Sequence, residues 1–508
     1  MLLSTGLLAG LGGCAALPTP ERAPGPPARF ITAVDDAPLS RVAAASGAPA
    51  GGSAFRPMLL SSVALQARLS LIARAQSGID IQTYLLGDDA TGHQLLRALS
   101  EAAARGVRVR LLVDDLYTAG LTDLLLGLAA QPNVEVRLYN PFPAGRDSWL
   151  LRGFSLVSDF GRLNRRMHNK LFIADGRLAV VGGRNLADAY FMRSDEGNFI
   201  DFDLLCAGAV VPELATHFDD FWNSRFAVPV QQLADNTLDT DARRASVEAL
   251  TRPGLAPLRA VPAGQAASWS LGRAPWVVAE RAQVFFDSPD KTAARGTPTP
   301  TLPVAQLLAT AQRKVDIVTP YFLPSAAGLD GMRRARERGV EVQVTTNSLV
   351  DSDEPLVSVA YGRHRLALLQ SGVRLFELSS ERLKRHAPLR EVLANSVGRL
   401  HAKLGFIDER LLLVGSMNLD PRSAGTNTEL MLLVDSAELV RQVQQQLQPA
   451  EPSGLFEVRL AADGQSLEWL GRDAAAGVDE RLREEPTPPW WQRLKLWLLY
   501  QLVPDDLL

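Results

Sequence analysis

An internal duplication limits what this chain can fold into more than any other feature. A helical pattern from Leu65 to Ala75 leads into the strand-like run Ile79-Asp80-Ile81-Gln82-Thr83-Tyr84. The same order recurs from Leu302 to Ala311 into Val315-Asp316-Ile317-Val318-Thr319-Pro320-Tyr321. Each copy continues with an amphipathic helix ending in Arg-Gly-Val, at Arg105-Gly106-Val107 and Arg338-Gly339-Val340, with glycine where a helix C-cap needs it. A strand follows each, Arg108 to Val113 and Glu341 to Thr345. From Gly106 to His168, and from Gly339 to His401, the distance is 62 residues in both copies. Strands alternating with helices, twice over, predict an α/β fold of two sandwich lobes with one active site at their interface.

At the equivalent point of each copy stands His-x-Lys-(four residues)-Asp: His168, Lys170 and Asp175, then His401, Lys403 and Asp408. The chain has only six lysines among 53 basic residues, so a lysine two places after a histidine in both repeats is not chance. Residues i and i+2 of an extended segment share a face, which sets imidazole and ammonium at one place. Asp175 and Asp408 fall at an odd offset and read as structural groups that orient the following turn. Each motif runs into a strand and a glycine turn, Leu178 to Gly182-Gly183-Arg184-Asn185 and Leu411 to Gly415-Ser416-Met417-Asn418.

Two histidines and two lysines suit phosphodiester chemistry without a metal or other cofactor. One neutral imidazole attacks phosphorus, the other protonates the leaving oxygen, and the ammonium groups hold the phosphate oxygens. The pair would titrate as a unit.

These motifs resemble the phospholipase D superfamily over roughly residues 55 to 445. The resemblance implies that Lys170, Lys403, Asn185 and Asn418 contact phosphate and that a downstream carboxylate orients each histidine. Glu429 in Asn427-Thr428-Glu429 matches that position, and Asp203 in Asp201-Phe202-Asp203 is the match in the first half; the alternative for each is an ordinary solvated or capping carboxylate. Within the superfamily, Arg165-Arg166-Met167-His168-Asn169-Lys170, Gly415-Ser416-Met417-Asn418-Leu419-Asp420-Pro421-Arg422-Ser423 and the terminal Trp490-Trp491-Gln492-Arg493-Leu494 segment resemble bacterial cardiolipin synthases of the C type. That implies transfer of a phosphatidyl group to phosphatidylglycerol, with phosphatidylethanolamine as a possible second phospholipid, and by family habit His168 as nucleophile. A hydrolytic phospholipase D keeps the chemistry and differs in its acceptor, water. A nuclease is disfavoured by a net charge of −3, so nucleic acid is not expected as a partner. A catalytically silent lipoprotein scaffold is disfavoured by intact motifs in both repeats.

The remaining segments divide the chain. Residues 1–13 read as a lipoprotein signal peptide, because Leu11-Gly12-Gly13-Cys14 resembles a lipobox with Cys14 as the acylated residue, although no Lys or Arg precedes the apolar run. Residues 14–54, rich in Pro, Ala, Gly and Ser, read as a flexible tether. A first lobe spans 55–245, a connector 246–282, a second lobe 283–450, and a C-terminal appendage 451–508. The appendage carries strands at Leu455 to Leu460 and Ser466 to Leu470 and an interfacial helix whose Trp490, Trp491, Leu494, Trp497 and Leu498 are rimmed by Arg493 and Lys495. Docking of that helix on the protein's own core is the competing reading. Arg162, Arg165 and Arg166 precede His168 and could hold an anionic headgroup, although Arg162 reads better as a solvated loop residue. The expectation is a bacterial membrane-associated lipoprotein on the periplasmic side, in contact with the membrane surface, with no spanning helix in the mature chain.

Overall fold

Runs of Val, Ile and Leu buried on both faces are what a sheet covered by helices on either side demands. The computed structural model describes residues 26–500, apart from 144–145, 147, most of 234–274, 293–303, nearly all of 386–395, 448–453, 474–476 and 487–488. The signal peptide and Cys14 therefore lie outside the described residues, as does most of the connector.

The first lobe is built on β1 (Ser53–Met58), β2 (Gly78–Thr83), β3 (Arg108–Asp114), β4 (Val134–Tyr139), β5 (Leu171–Ala174), β6 (Leu178–Gly182), β8 (Asp203–Gly208), β9 (Ala227–Pro229) and β10 (Val277–Ala279). They form a nine-stranded sheet in the order β10-β1-β8-β6-β5-β2-β3-β4-β9, where β7 (Gly197–Ile200) stands apart. The second lobe repeats the plan with β11 (Arg281–Phe286), β12 (Lys314–Val318), β13 (Glu341–Asn347), β14 (Arg374–Leu378), β16 (Leu404–Ile407), β17 (Leu411–Gly415) and β18 (Leu430–Asp435). In each lobe three parallel strands, β2-β3-β4 or β12-β13-β14, are followed across the sheet by the antiparallel hairpin that carries the motif, β5-β6 or β16-β17. The duplicated sequence is thus a duplicated topology.

Between the lobes runs a single apolar core in which Phe218 and Trp222 meet residues such as Leu404, Phe406 and Leu432. Helix Val210–Trp222 of the first lobe packs against β11 of the second, and helix Ala437–Leu447 of the second packs against β1 of the first. Burying one such aromatic side chain contributes about 1.5–3 kcal/mol, so a shared core of this kind makes the lobes one folding unit.

Three expectations change. Residues 26–54 do not hang free: Ala28 and Phe30 donate backbone N–H groups to Asn223 Oδ1 and Asp219 Oδ2 at 3.0 and 2.9 Å. Leu39 is fully buried in helix Pro38–Ala44, and Ser53 already opens β1. Composition weighed only apolar side-chain area, whereas this segment is held mainly by its backbone. Second, the strands after residue 451 are no separate appendage. β19 (Leu455–Leu460) pairs with the edge strand β14, and β20 (Leu467–Asp473) and β21 (Gly477–Leu482) extend the same sheet. Third, the passage between lobes is abrupt: β10 belongs to the first sheet and β11 to the second, with Glu280 between them.

Asp175 and Asp408 sit just past their strands with φ of 55° and 54°, a left-handed conformation that Asp tolerates better than most residues. Asp175 accepts backbone N–H groups of Gln76, Ser77 and Gly78 at 2.7–3.1 Å, and Asp408 those of Gln312, Arg313 and Lys314 at 2.7–3.2 Å. Each carboxylate clamps the turn that starts the first parallel strand of its lobe. Asp175→Ala is expected to lower unfolding free energy by about 3 kcal/mol, since three backbone donors, that of Gly78 buried, lose a charged acceptor and alanine resists positive φ. Asp175→Asn should lose less, and equal losses for the two in urea unfolding would contradict the clamp.

Candidate active site

The two motif histidines leave extended backbone immediately before β5 and β16, and each is fixed by a pairing with the opposite lobe. His168 N donates to Thr428 O at 3.0 Å, beside a parallel bridge between Met167 and Thr428. The next residue along, Glu429, then faces the His168 ring, with Nδ1 3.0 and 3.1 Å from its two carboxylate oxygens. In the mirror arrangement, β7 pairs in parallel with β15 (Val397–Leu400), His401 N donates to Ile200 O at 2.8 Å, and Asp201 reaches His401 Nδ1 at 2.6 Å. Asn169, the middle residue of the first triplet, locks the first crossing by accepting the Thr428 hydroxyl at 2.6 Å.

The first-half carboxylate is therefore Asp201, not Asp203. Asp203 is fully buried and bonded to Arg68 Nη1 at 3.0 Å and Arg184 Nη1 at 3.2 Å, which leaves it no part at the ring. Arg184 also donates to Asp201 O, Met58 O, Leu59 O and Tyr190 O, so this arginine of the glycine turn pins the backbone that presents Asp201. The glycines matter for the same reason: a Cβ at Gly183 would come within 2.2 Å of an Asp201 carboxylate oxygen. In the second copy the equivalent residue is Ser416, whose hydroxyl donates to Glu429 Oε2.

Both lysines fold back on their own motif, Lys170 Nζ to His168 O and Lys403 Nζ to His401 O, each at 2.6 Å. Lys403 Nζ also stands 3.0 and 3.2 Å from Nδ1 and Nε2 of His401. Asn185 Nδ2 donates to Tyr190 Oη at 2.7 Å, and the Oδ1 atoms of Asn185 and Asn418 are both buried without a hydrogen-bond partner among the described residues. Asp175 and Asp408 lie at the far end of their strands, on the turns they clamp. Arg166 is unavailable to a headgroup: it is fully buried, paired with Asp114 and donating to Tyr139, Asn140 and Leu163 carbonyls. Arg162 is likewise engaged by Asp159, Asn140 and Pro141.

Tyrosines complete the surroundings. Tyr84 lies edge-on to His168 with ring centroids 5.0 Å apart, and Tyr190 and Tyr321 lie edge-on to His401 at 5.0 and 6.4 Å. Lys170 sits over the Tyr84 ring and Lys403 over that of Tyr321. Tyr84 and Tyr321 close the first strand-like run in each repeat, and that equivalence was a signal in the sequence.

Electrostatics separates the two halves. Burial, then Lys170 and Lys403, hold the His168 imidazole well below its ordinary range, and His401 itself adds to that depression, so the two rings share one field. Burial pushes the Glu429 carboxyl up to about 7 against the pull of Lys170. Asp201 goes the other way: burial opposes its ionisation, yet His401, Lys403 and Arg184 hold it well below the usual carboxylate range. His401 is lowered by burial and Lys403 while Asp201 acts to raise it. Burial also brings Lys403 down to about 8. Burial and the lysines thus favour the neutral form of both rings, His168 beside a carboxyl raised to about 7 and His401 beside an Asp201 anion that works against the depression.

Residues 69–222 and 304–449 match the family model described as "Cardiolipin synthase, PLD-like domain". The chain is 35% identical to Cardiolipin synthase C of Escherichia coli (strain K12), across 89% of this chain and 95% of that one. It is 30% identical to an uncharacterized protein of Helicobacter pylori (strain ATCC 700392 / 26695) over 75% and 76% of the two chains. With Cardiolipin synthase A of Pseudomonas fluorescens it shares 26% identity over 77% and 67%. Among solved structures, phosphatidylserine synthase of Haemophilus influenzae Rd KW20 superposes with a TM-score of 0.59 at 13% identity, covering 89% of this chain and 95% of that one, a likeness of fold.

Replacing Asp201 by Asn removes the anion that raises His401, so the His401 imidazole is expected to titrate at lower pH than in the parent protein. Asp203→Asn should leave that titration in place and instead lower thermal stability, because Arg68 and Arg184 lose their shared carboxylate. Histidine NMR titrations and melting curves on both variants check this, and an unmoved His401 in Asp201→Asn would contradict it.

Proposed function

This chain belongs to the cardiolipin synthase, phospholipase-D-like family, and from that premise we propose that it is a phosphatidyltransferase making cardiolipin from phosphatidylglycerol and a second phospholipid. The observation that carries the reading is the pair of crossed histidine–carboxylate contacts, which gathers both motifs in one buried site.

In the proposed first half-reaction, His168 Nε2 attacks the phosphorus of a phospholipid. A P–N bond forms, the P–O bond to the headgroup alcohol breaks, and the His401 imidazolium gives its proton to the leaving oxygen. In the second half, neutral His401 takes the proton from a hydroxyl of phosphatidylglycerol, whose oxygen attacks phosphorus and releases His168. Glu429 fixes the His168 tautomer so that Nε2 is the lone-pair nitrogen, and Asp201 stabilises each imidazolium state of His401. Lys170 and Lys403 would swing from their own carbonyls to the phosphate oxygens. Amide flips at Asn185 and Asn418 would turn Nδ2 groups toward the same oxygens.

Transfer rather than hydrolysis is favoured by the closed character of the site, where His168 and His401 are 6% and 3% exposed and tyrosine rings pack around them. The lipobox-like Leu11-Gly12-Gly13-Cys14 string supports a lipoprotein on the periplasmic side.

Expression in a cardiolipin-deficient bacterium, with and without added phosphatidylethanolamine, is expected to restore cardiolipin. His168→Ala and His401→Ala should each cut its formation about 1,000-fold or more while the melting temperature holds. Phosphatidic acid in place of cardiolipin would identify a hydrolase, and undiminished synthesis in either variant would overturn the mechanism.

A further inference from the structure

Helix Trp149–Ser158 has its amphipathicity inverted. Its arginine, Arg152, is 1% exposed and donates to the carbonyls of Asp115, Leu116 and Arg146 and to the Thr118 hydroxyl. Its large apolar residues point outward: Leu150 is 80% and Phe154 75% exposed, with Leu151 and, just beyond the helix, Phe160 also exposed. A water-facing helix does the reverse.

The helix is also fastened to the site. The turn that Arg152 grips, Asp115–Tyr117, follows directly from the C-terminal end of β3, and its Tyr117 packs edge-on against Tyr84 beside His168. The duplication puts a counterpart at the end of β13. There Asp353 accepts the Tyr321 hydroxyl beside His401, helix Pro355–Gly362 follows, and helix Trp490–Tyr500 packs on it. Trp490, Trp491, Leu494, Trp497 and Leu498 of that terminal helix are exposed, as are Arg493 and Lys495. Neither helix contains a carboxylate.

We propose that helix Trp149–Ser158 is a bilayer-docking element which, with the terminal helix on the other side, seats the mouth of the active site on an anionic membrane surface. The proposal rests on the phospholipid reading of the site. Two apolar faces flanking the ends of equivalent strands would let an acyl chain stay in the bilayer while its headgroup reaches the histidines. Exposed cations without acidic neighbours on the helix complement anionic headgroups. Among the described residues no helix is long and apolar enough to cross a membrane, and a ten-residue helix suits the interface instead.

The test uses the full chain carrying Cys14→Ser, so that no acyl anchor contributes to binding, and vesicles of phosphatidylethanolamine and phosphatidylglycerol. Leu150→Glu/Phe154→Glu changes two exposed positions one helical turn apart, with Phe154→Ser as a milder companion. Vesicle partitioning of the double variant should fall about tenfold or more, and turnover on vesicles should fall with it. Turnover of dihexanoyl phosphatidylglycerol, dispersed as monomers, should be unchanged. His168→Ala should bind vesicles like the parent while making no product, which separates failure of docking from failure of the chemistry. Parental vesicle binding by both surface variants would overturn the proposal. So would self-association of the parent that the double variant abolishes with vesicle binding intact, which would make the face a self-association surface.

Discussion

Two backbone hydrogen bonds across the lobes, His168 N to Thr428 O and His401 N to Ile200 O, set the geometry on which the rest depends. Each aligns an extended segment of one lobe with an extended segment of the other, one residue short of a carboxylate. A single register step then delivers Glu429 to His168 and Asp201 to His401. Neither half can assemble its own histidine–carboxylate pair, which gives the duplicated lobes a reason to share one apolar core. The clamps at Asp175 and Asp408, the Arg184 web and the Asp114–Arg166 pair all serve to hold those segments in register.

The duplication is not symmetrical where it matters. Gly183 makes room for the short Asp201, while Ser416 offers a hydroxyl to the longer Glu429. Asp201 is kept anionic by the charges around it and Glu429 is pushed toward neutrality by burial. The double displacement proposed above would start with one ring neutral and the other protonated, and Asp201 acts on His401 in that direction.

Much of this was legible in the sequence, for reasons that can be named. The repeat order and the equal 62-residue spacing gave the two lobes, since helix and strand periods survive duplication. Glu429 was reached through the family resemblance, as the match to its downstream carboxylate. Asp203 was mistaken for Asp201 because residues i and i+2 share a face of an extended run. What separates them is Arg68 and Arg184, brought in from elsewhere in the fold. The crossing of partners had no signature, since spacing within a repeat says nothing about register between repeats. The docked segment 26–54 and the sheet-extending strands β19 to β21 escaped for a related reason: the first is held by backbone N–H groups bonded to distant side chains and the second by pairing to a distant strand, which composition does not record.

The account turns on unequal roles for two similar histidines, and the most direct measurement is the site and stoichiometry of the covalent intermediate. Rapid alkaline quench of the enzyme turning over phosphatidylglycerol, followed by peptide mass spectrometry, should find one phosphatidyl group per chain, on His168. A label on His401, or on both rings, or none while cardiolipin forms, would contradict it.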